Sequence, residues 1–153
     1  MQSKDAFTAN LHEWVAVFMR RSMRNFINYA RENGFSMSQI NALFHIHRKG
    51  GCGVTDLGEN LGVTSAAASQ LLERLVQQEL ILRSEDPQDR RAKQVVLTEK
   101  GRHVVQEGIH ARQGWLVDLA TTLSASEKEQ VAAALRILID KTKQLDTPDH
   151  TAH

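Results

Sequence analysis

The run Asp86-Pro87-Gln88-Asp89-Arg90-Arg91-Ala92-Lys93 constrains the fold of this chain more than any other stretch. Leu80-Ile81-Leu82 leads into it and Val95-Val96-Leu97 leads out. The Asp-Pro pair between them favours a turn and bars helix. Two short apolar runs around a polar loop predict a β-hairpin with a long tip, and the tip carries Arg90, Arg91 and Lys93. The Asp-x-Arg spacing lets the Asp89 carboxylate hold the Arg91 guanidinium extended toward a phosphate or a minor-groove edge. Thr98 follows as the cap of a helix, its hydroxyl placed to accept from an orphan N–H of the first turn. A basic tip flanked by helices suits a nucleic-acid groove; the bland alternative is a hairpin whose charges are merely solvated.

Upstream, residues 6 to about 32 read as one long helix. Leu11, Val15, Phe18, Ser22 and Phe26 recur at three- and four-residue steps, with Trp14, Ile27 and Tyr29 widening the stripe. Asn33-Gly34 ends it. Ser36 and Gln39 then form a capping box, with Phe35 and Ile40 placed as a hydrophobic staple. The helix they open runs through Leu43, Phe44 and Ile46 to Lys49-Gly50-Gly51.

Val54 to Thr64 is a short helix, a turn at Gly62 and a new cap at Thr64. Leu57 and Leu61 face one core and Val63 packs the turn. Ala68, Leu71, Leu72, Leu75 and Val76 form the buried stripe of the next helix. Two helices joined by a short glycine-containing turn are a helix-turn-helix. The unburied positions of the second helix are Ser65, Ala66, Ser69, Gln70, Glu73, Arg74 and Gln77. Its small, polar N-terminal group suits a helix end pressed into a major groove, and glutamine pairs with adenine there, so an A·T-leaning site is expected. Plain surface polarity is the competing account of these residues.

After the hairpin, residues 99 to about 122 read as a second long helix carrying Val104, Val105, Ile109, Leu116, Leu119 and Leu123. Gly108 and Gly114 inside it each cost up to about 1 kcal/mol relative to alanine, which points to close helix contacts. Ser124 and Glu127 form a capping box for a last helix with Val131, Leu135, Leu138 and Ile139 on one face. Residues 146–153 are polar, contain a proline and are expected to be a disordered tail.

A length of 153 residues predicts a single domain large enough to bury a core. No run approaches the roughly 18–20 apolar residues of a membrane span, and the N-terminal residues lack a signal peptide's apolar core. One cysteine excludes an internal disulfide framework, so a cytoplasmic location and no membrane partner are expected. Residues 83–102 hold six basic and four acidic groups, whereas residues 103–153 hold five and seven. The basic excess, a modest +2, therefore sits around the hairpin, which suits a DNA reader with a separate non-DNA region.

The pattern D-P-x-D-x-R followed by L-T-x-x-G, matched by Asp86, Pro87, Asp89, Arg91, Leu97, Thr98 and Gly101, resembles the signature of the MarR family of winged-helix transcription regulators. The resemblance covers about residues 10–145. It implies a mainly α fold with a small β-hairpin wing. The winged helix-turn-helix lobe would span 36–98, and dimerisation helices 6–34 and 99–145. It also implies a homodimer bound to double-stranded DNA at a pseudo-palindromic operator, most commonly as a repressor. Ser69 matches the family's recognition-helix serine and Arg74-Leu75 its Arg-Leu pair, while Gln70 stands where members often carry arginine. The implied DNA-binding set is Thr64, Ser65, Ser69, Gln70 and Arg74 with Asp89, Arg90, Arg91 and Lys93. Many members release DNA when a small aromatic or phenolic effector binds; by analogy its pocket would use Trp14, Phe18, Arg21, Met37 and His45.

Other constellations are weaker. Cys52 reads as a small buried residue rather than a redox sensor, since no second thiol accompanies it. His103, Glu107 and His110 share a helical face, yet the two histidines lie about 10 Å apart along the axis. A solvated polar face is therefore favoured over a zinc site. His45 and His47 point to different sides of their helix. No metal or cofactor is expected. No nucleotide-binding glycine loop or catalytic triad context supports an enzyme. The runner-up function is a helical protein-interaction module that has lost DNA binding.

Overall fold

The computed structural model describes residues 2–85 and 93–145. The expectations for Asp86, Pro87, Asp89, Arg90 and Arg91 at the hairpin tip, and for the tail 146–153, lie outside the described residues. Lys93 is described in its backbone only. The chain forms two compact units, residues 1–113 and 114–153.

The first unit contains α1 (Gln2–Glu32), α2 (Met37–Lys49), α3 (Val54–Leu61), α4 (Ser65–Gln77), β1 (Ile81–Glu85), β2 (Lys93–Leu97) and α5 (Glu99–Gln113). Helix α1 begins at Gln2 rather than at residue 6. The local start signals act as written in the sequence. Ser36 and Gln39 exchange both bonds of a capping box, Gln39 N–H to Ser36 Oγ at 3.2 Å and Ser36 N–H to Gln39 Oε1 at 2.9 Å. Thr64 Oγ1 accepts from Ala67 N–H at 3.2 Å, and Thr98 Oγ1 accepts from Gly101 N–H at 3.0 Å.

The core gathers Ile40, Leu43, Ile46, Leu57, Leu75, Leu80, Ile81 and Val105, all but fully buried. Side chains of α2, α3, α4, the hairpin and α5 therefore share one interior. Helices α1, α2 and α5 meet through aromatic rings. Phe26 packs edge-on against Phe44 with centroids 5.1 Å apart, and Tyr29 donates from its hydroxyl to the Val104 carbonyl at 2.8 Å. Gly108 lies where a Cβ would stand 3.1 Å from Phe44 and 3.2 Å from Tyr29, so it does mark a close helix contact.

The hairpin is antiparallel, with Ile81 opposite Leu97, Arg83 opposite Val95 and Glu85 opposite Lys93. A third backbone segment joins it. Cys52 N–H donates to Val95 O at 3.1 Å and Val95 N–H to Cys52 O at 2.9 Å. Burial departs from expectation at several apolar positions. Val63 and Val76 are exposed, and Leu61 and Leu71 are only half-buried, because α3 and α4 turn just one narrow face each to the shared core.

The expected long helix over 99–122 is corrected: it is two helices, α5 and then α6 (Trp115–Thr122), separated at Gly114. Gly114 keeps helical torsions, φ −54° and ψ −36°, but the next bond is Val117 N–H to Gly114 O, a three-residue step that restarts the ladder. Glycine is the poorest helix former after proline, so the break falls where the sequence is weakest. In this second unit α7 (Ala125–Leu145) opens with its predicted capping box, Ser124 N–H to Glu127 Oε2 at 2.8 Å. That bond from the Ser124 backbone, and then the Ser124 hydroxyl, hold the Glu127 carboxyl below the usual range.

Two glycines hold the winged lobe for different reasons. Gly62 sits at φ +64° in the helix-turn-helix bend, with open space around a would-be Cβ. Gly101 is not left-handed; a Cβ there would overlap the Leu80 carbonyl. Gly62→Ala should therefore lower stability by about 1 kcal/mol, the ordinary left-handed penalty. Gly101→Ala should cost about 1–3 kcal/mol or more, since backbone must move. Urea unfolding of both variants checks the order, and equal losses would contradict it.

Candidate nucleic-acid interface and an adjoining polar cluster

The helix-turn-helix is closed by hydrogen bonds inside its own bend. Gly62 N–H reaches Glu59 O at 3.2 Å and Val63 N–H reaches Gly58 O at 3.0 Å. Thr64 then redirects the chain into α4. The far end of α4 is tied just as firmly. Glu79 takes φ +60°, Glu79 N–H donates to Val76 O at 2.9 Å and Leu80 N–H to Leu75 O at 3.0 Å, a Schellman closure without glycine. Carbonyls of that closure are held by the start of α5. Thr98 Oγ1 donates to Glu79 O at 2.6 Å, Lys100 Nζ to Gln78 O at 2.9 Å, and Thr98 N–H to Leu80 O at 3.0 Å. Gln39 Nε2 also reaches Gln78 Oε1 at 3.1 Å.

On the helix so positioned, Thr64, Ser65, Gln70 and Arg74 are exposed and Ser69 is half-buried. Ser69 borders a crevice with Val54, Arg83, Gln94 and Val95 at the hairpin base. Gln70 and Arg74 border another crevice, on the opposite flank, with Ser36, Ser38 and Val63. The exposed Ala66 and Glu73 run along the ridge between them. The five α4 candidates thus share one protruding helix but split between its two flanks. Arg83 was missed by sequence reasoning. It is exposed beside Ser69, and the hairpin register that sets it opposite Val95 is the signal that locates it.

A cleft of about 470 Å³ lies elsewhere on this unit, bounded by Phe26, Phe44, His45, Arg48, Asn60 and Arg112 among others. The Arg112 guanidinium carbon stands 5.9 Å from the Phe26 ring centroid, within cation–π range. Of the five residues expected to line an effector pocket, only His45 borders this cleft. Trp14 and Phe18 instead contact each other on α1 at 6.5 Å, while Trp14, Arg21 and Met37 are exposed. A helix stripe does not say which of its residues the neighbouring helices will cover.

His45 is buried, as His47 is not, which bears out their opposite directions. Arg48 NH2 lies 3.1 Å from His45 Nδ1 and Asp56 Oδ2 lies 3.0 Å from His45 Nε2. A guanidinium has no acceptor, so Nδ1 accepts and the ring proton resides on Nε2, donated to Asp56. Lys49 holds the other carboxylate oxygen, Oδ1. These bonds, Lys49's first and then His45's, lower the Asp56 pKa. Cys52 lies beside the pair, and burial, with Asp56 adding, pushes its thiol up to about 11. On α5, by contrast, His110 and Glu107 are exposed, with Nδ1 and Oε1 4.0 Å apart.

A helix-turn-helix whose second helix protrudes beside a hairpin defines the winged-helix class of DNA-binding protein. Residues 35–93 match the MarR family model. The chain is 30% identical over 90 residues to the uncharacterized HTH-type transcriptional regulator YwhA of Bacillus subtilis, covering 59% of this chain and 65% of that protein. It is 22% identical over 132 residues to the HTH-type transcriptional repressor MdtR of Bacillus subtilis, covering 86% and 85%. The structure matches that of a point mutant of S. aureus MepR bound to an oligodeoxyribonucleotide with a TM-score of 0.65 and 23% identity, over 88% of this chain and 97% of that one. Over residues 35–93, which hold the helix-turn-helix and the hairpin strands up to Lys93, the chain is thus similar to the MarR family of winged-helix transcription regulators.

The buried thiol sets a chemical expectation. A shift from 9.0 to about 11 leaves roughly a hundred-fold less thiolate at pH 8. Iodoacetamide should modify Cys52 far more slowly in the folded chain than in urea, with the folded-state rate still rising beyond pH 10. A rate that levels off near pH 9 in the folded protein would contradict this.

Proposed function

We propose that this protein is a homodimeric, ligand-responsive repressor that binds a pseudo-palindromic DNA operator in the cytoplasm. The observation that carries the reading is the exposed N-terminal half of α4, capped by Thr64 and anchored at its other end to α5. In a major groove, Gln70 pairs with adenine, Ser65 and Ser69 bond base edges or phosphates, and Arg74 meets the backbone. The wing residues Asp89, Arg90, Arg91 and Lys93 complete the interface, Asp89 orienting Arg91 toward phosphate or the minor groove. Arg83 adds a cation at the wing base. MepR carries DNA on the same fold. The named relatives are transcription regulators rather than enzymes, which supports this reading over a helical module without DNA binding.

Two faces support the dimer. On α1, Val15, Met19, Met23 and Ile27 recur every four residues and are each more than 40% exposed. On α7 no residue is buried, and Leu135, Ile137 and Ile139 are exposed at 43%, 62% and 51%. Apolar stripes of this extent bury themselves against a second copy. Helices α1 and α5 to α7 would then supply the dimer and residues 36–98 the DNA lobe, with two α4 helices about 34–36 Å apart. The cleft fits an effector: the Phe26 and Phe44 rings would stack on an aromatic or phenolic ring, while Arg48 and Arg112 meet an anionic substituent.

Two measurements test this. Gln70→Ala should weaken binding to an operator selected from randomised duplexes by about 1–3 kcal/mol and leave random DNA almost unaffected. Equal losses on both would remove Gln70 from base readout, and the absence of salt-dependent duplex binding by the unmodified chain would overturn the reading itself. Leu135→Asp should monomerise or unfold the protein in light scattering and circular dichroism. A folded monomer of the unmodified chain at micromolar concentration would refute the dimer.

A further inference from the structure

A ring nitrogen of His45, the sulfur of Cys52 and a carboxylate oxygen of Asp56 all lie within 4.8 Å of one another. They come from three backbone segments: α2, the turn after it, and α3. We propose that these three side chains form a binding site for a borderline divalent transition-metal ion of the Zn²⁺ type, with the fourth coordination position open to water.

The donor set selects the class of ion. One sulfur, one imidazole nitrogen and one carboxylate oxygen suit Zn²⁺ or Co²⁺, whereas Mg²⁺ and Ca²⁺ take oxygen ligands. Tetrahedral bonds of about 2.0–2.3 Å put ligand atoms roughly 3.3–3.8 Å apart. His45 Nε2 and Asp56 Oδ2 are already 3.0 Å apart, so the ion takes the position of the proton now shared between them. That pair must open by a few tenths of an ångström, and the Cys52 sulfur, within 4.8 Å of both partners, must close in. His45 and Cys52 are buried and Asp56 is half-buried, which leaves one side for the ion to enter.

The surrounding charges say what binding displaces. Lys49 engages Oδ1 of Asp56, not Oδ2, so that ion pair survives. An ion on Nε2 moves the imidazole proton to Nδ1, where it confronts the N–H of Arg48, and Arg48 must swing away. Cys52 gives its thiol proton to solvent. The released guanidinium borders the cleft that His45 also lines, so the site and the cleft are coupled through two shared residues. Cys52 is bonded through its backbone to Val95 of β2, so a bound ion also ties α2 and α3 to the base of the wing.

The chain holds one cysteine and seven histidines, so a sulfur signal can come only from Cys52, while stray histidine binding gives none. The experiment is Co²⁺ titration of the full-length reduced protein, followed by absorption spectroscopy and equilibrium dialysis. The expected result is one Co²⁺ per chain, a thiolate-to-cobalt charge-transfer band, intense tetrahedral d–d bands, and displacement of both by Zn²⁺. Cys52→Ala should abolish the charge-transfer band. Asp56→Asn, a half-exposed change that keeps the side-chain shape, should weaken Co²⁺ binding about ten-fold or more, and His45→Gln should do the same. No charge-transfer band in the unmodified protein would overturn the site. So would a band unchanged in both Asp56→Asn and His45→Gln, or one ion per two chains held by paired thiols.

Discussion

The carbonyl oxygen of Leu80 is the point on which the winged lobe turns. It accepts from Thr98 N–H at 3.0 Å, and Gly101, packed against it, leaves it no room for any side chain. Leu80 is also the last link of the closure that ends α4, through its N–H to Leu75 O. One residue therefore joins the end of α4, the first strand of the hairpin and the first turn of α5. The orientation of α4 relative to the wing follows from backbone contact rather than from side-chain packing alone. Backbone contacts are stiff, because neither partner has a rotamer to adjust.

This junction includes a local cost. Glu79 holds a left-handed conformation that glycine adopts freely and glutamate does not, a penalty of about 1 kcal/mol. Two neighbouring features offset it: the Schellman bonds, and the Thr98 hydroxyl that donates to the Glu79 carbonyl while accepting from Gly101 N–H. Thr98 thus acts both as a helix cap and as a cross-link to α4. The same double use recurs at His45, whose two ring nitrogens are bonded to different elements, Arg48 on its own helix and Asp56 on α3. Any ligand that rotates Arg48 in the cleft changes what His45 Nδ1 meets, and hence how α2 holds α3.

Much of the architecture was legible because it is written locally. Ser36 with Gln39, Thr64, Thr98 and Ser124 with Glu127 announce helix starts by chemistry confined to four residues. The hairpin strands fall on the two apolar runs around Ile81 and Val96, and the Thr98 cap follows the second. Burial was less legible. The α4 stripe overestimated Val76, and the α1 stripe passed over Met19 and Met23, whose exposure depends on where α2 and α5 lie. Periodicity marks a face, but the width of that face is set by its neighbours. Gly114 was visible as a weak point, yet a propensity near 1 kcal/mol cannot say whether a helix bends, packs closely or stops.

The sequence by itself determined the order and kind of the elements, the helix-turn-helix with its capped second helix, the hairpin and the resemblance to the MarR family. Each depends on residues within one turn or one hairpin, where covalent spacing alone dictates who meets whom. Only the tertiary structure decided that Ser69 and Gln70 lie on opposite flanks of α4 and that Arg83 joins the first of them. It also decided that the cleft falls among Phe26, Phe44, Arg48 and Arg112, and that His45, Cys52 and Asp56 converge. The cleft and the cluster are each assembled from side chains that different elements carry. Their meeting is a consequence of how those elements pack, which no spacing in the chain encodes.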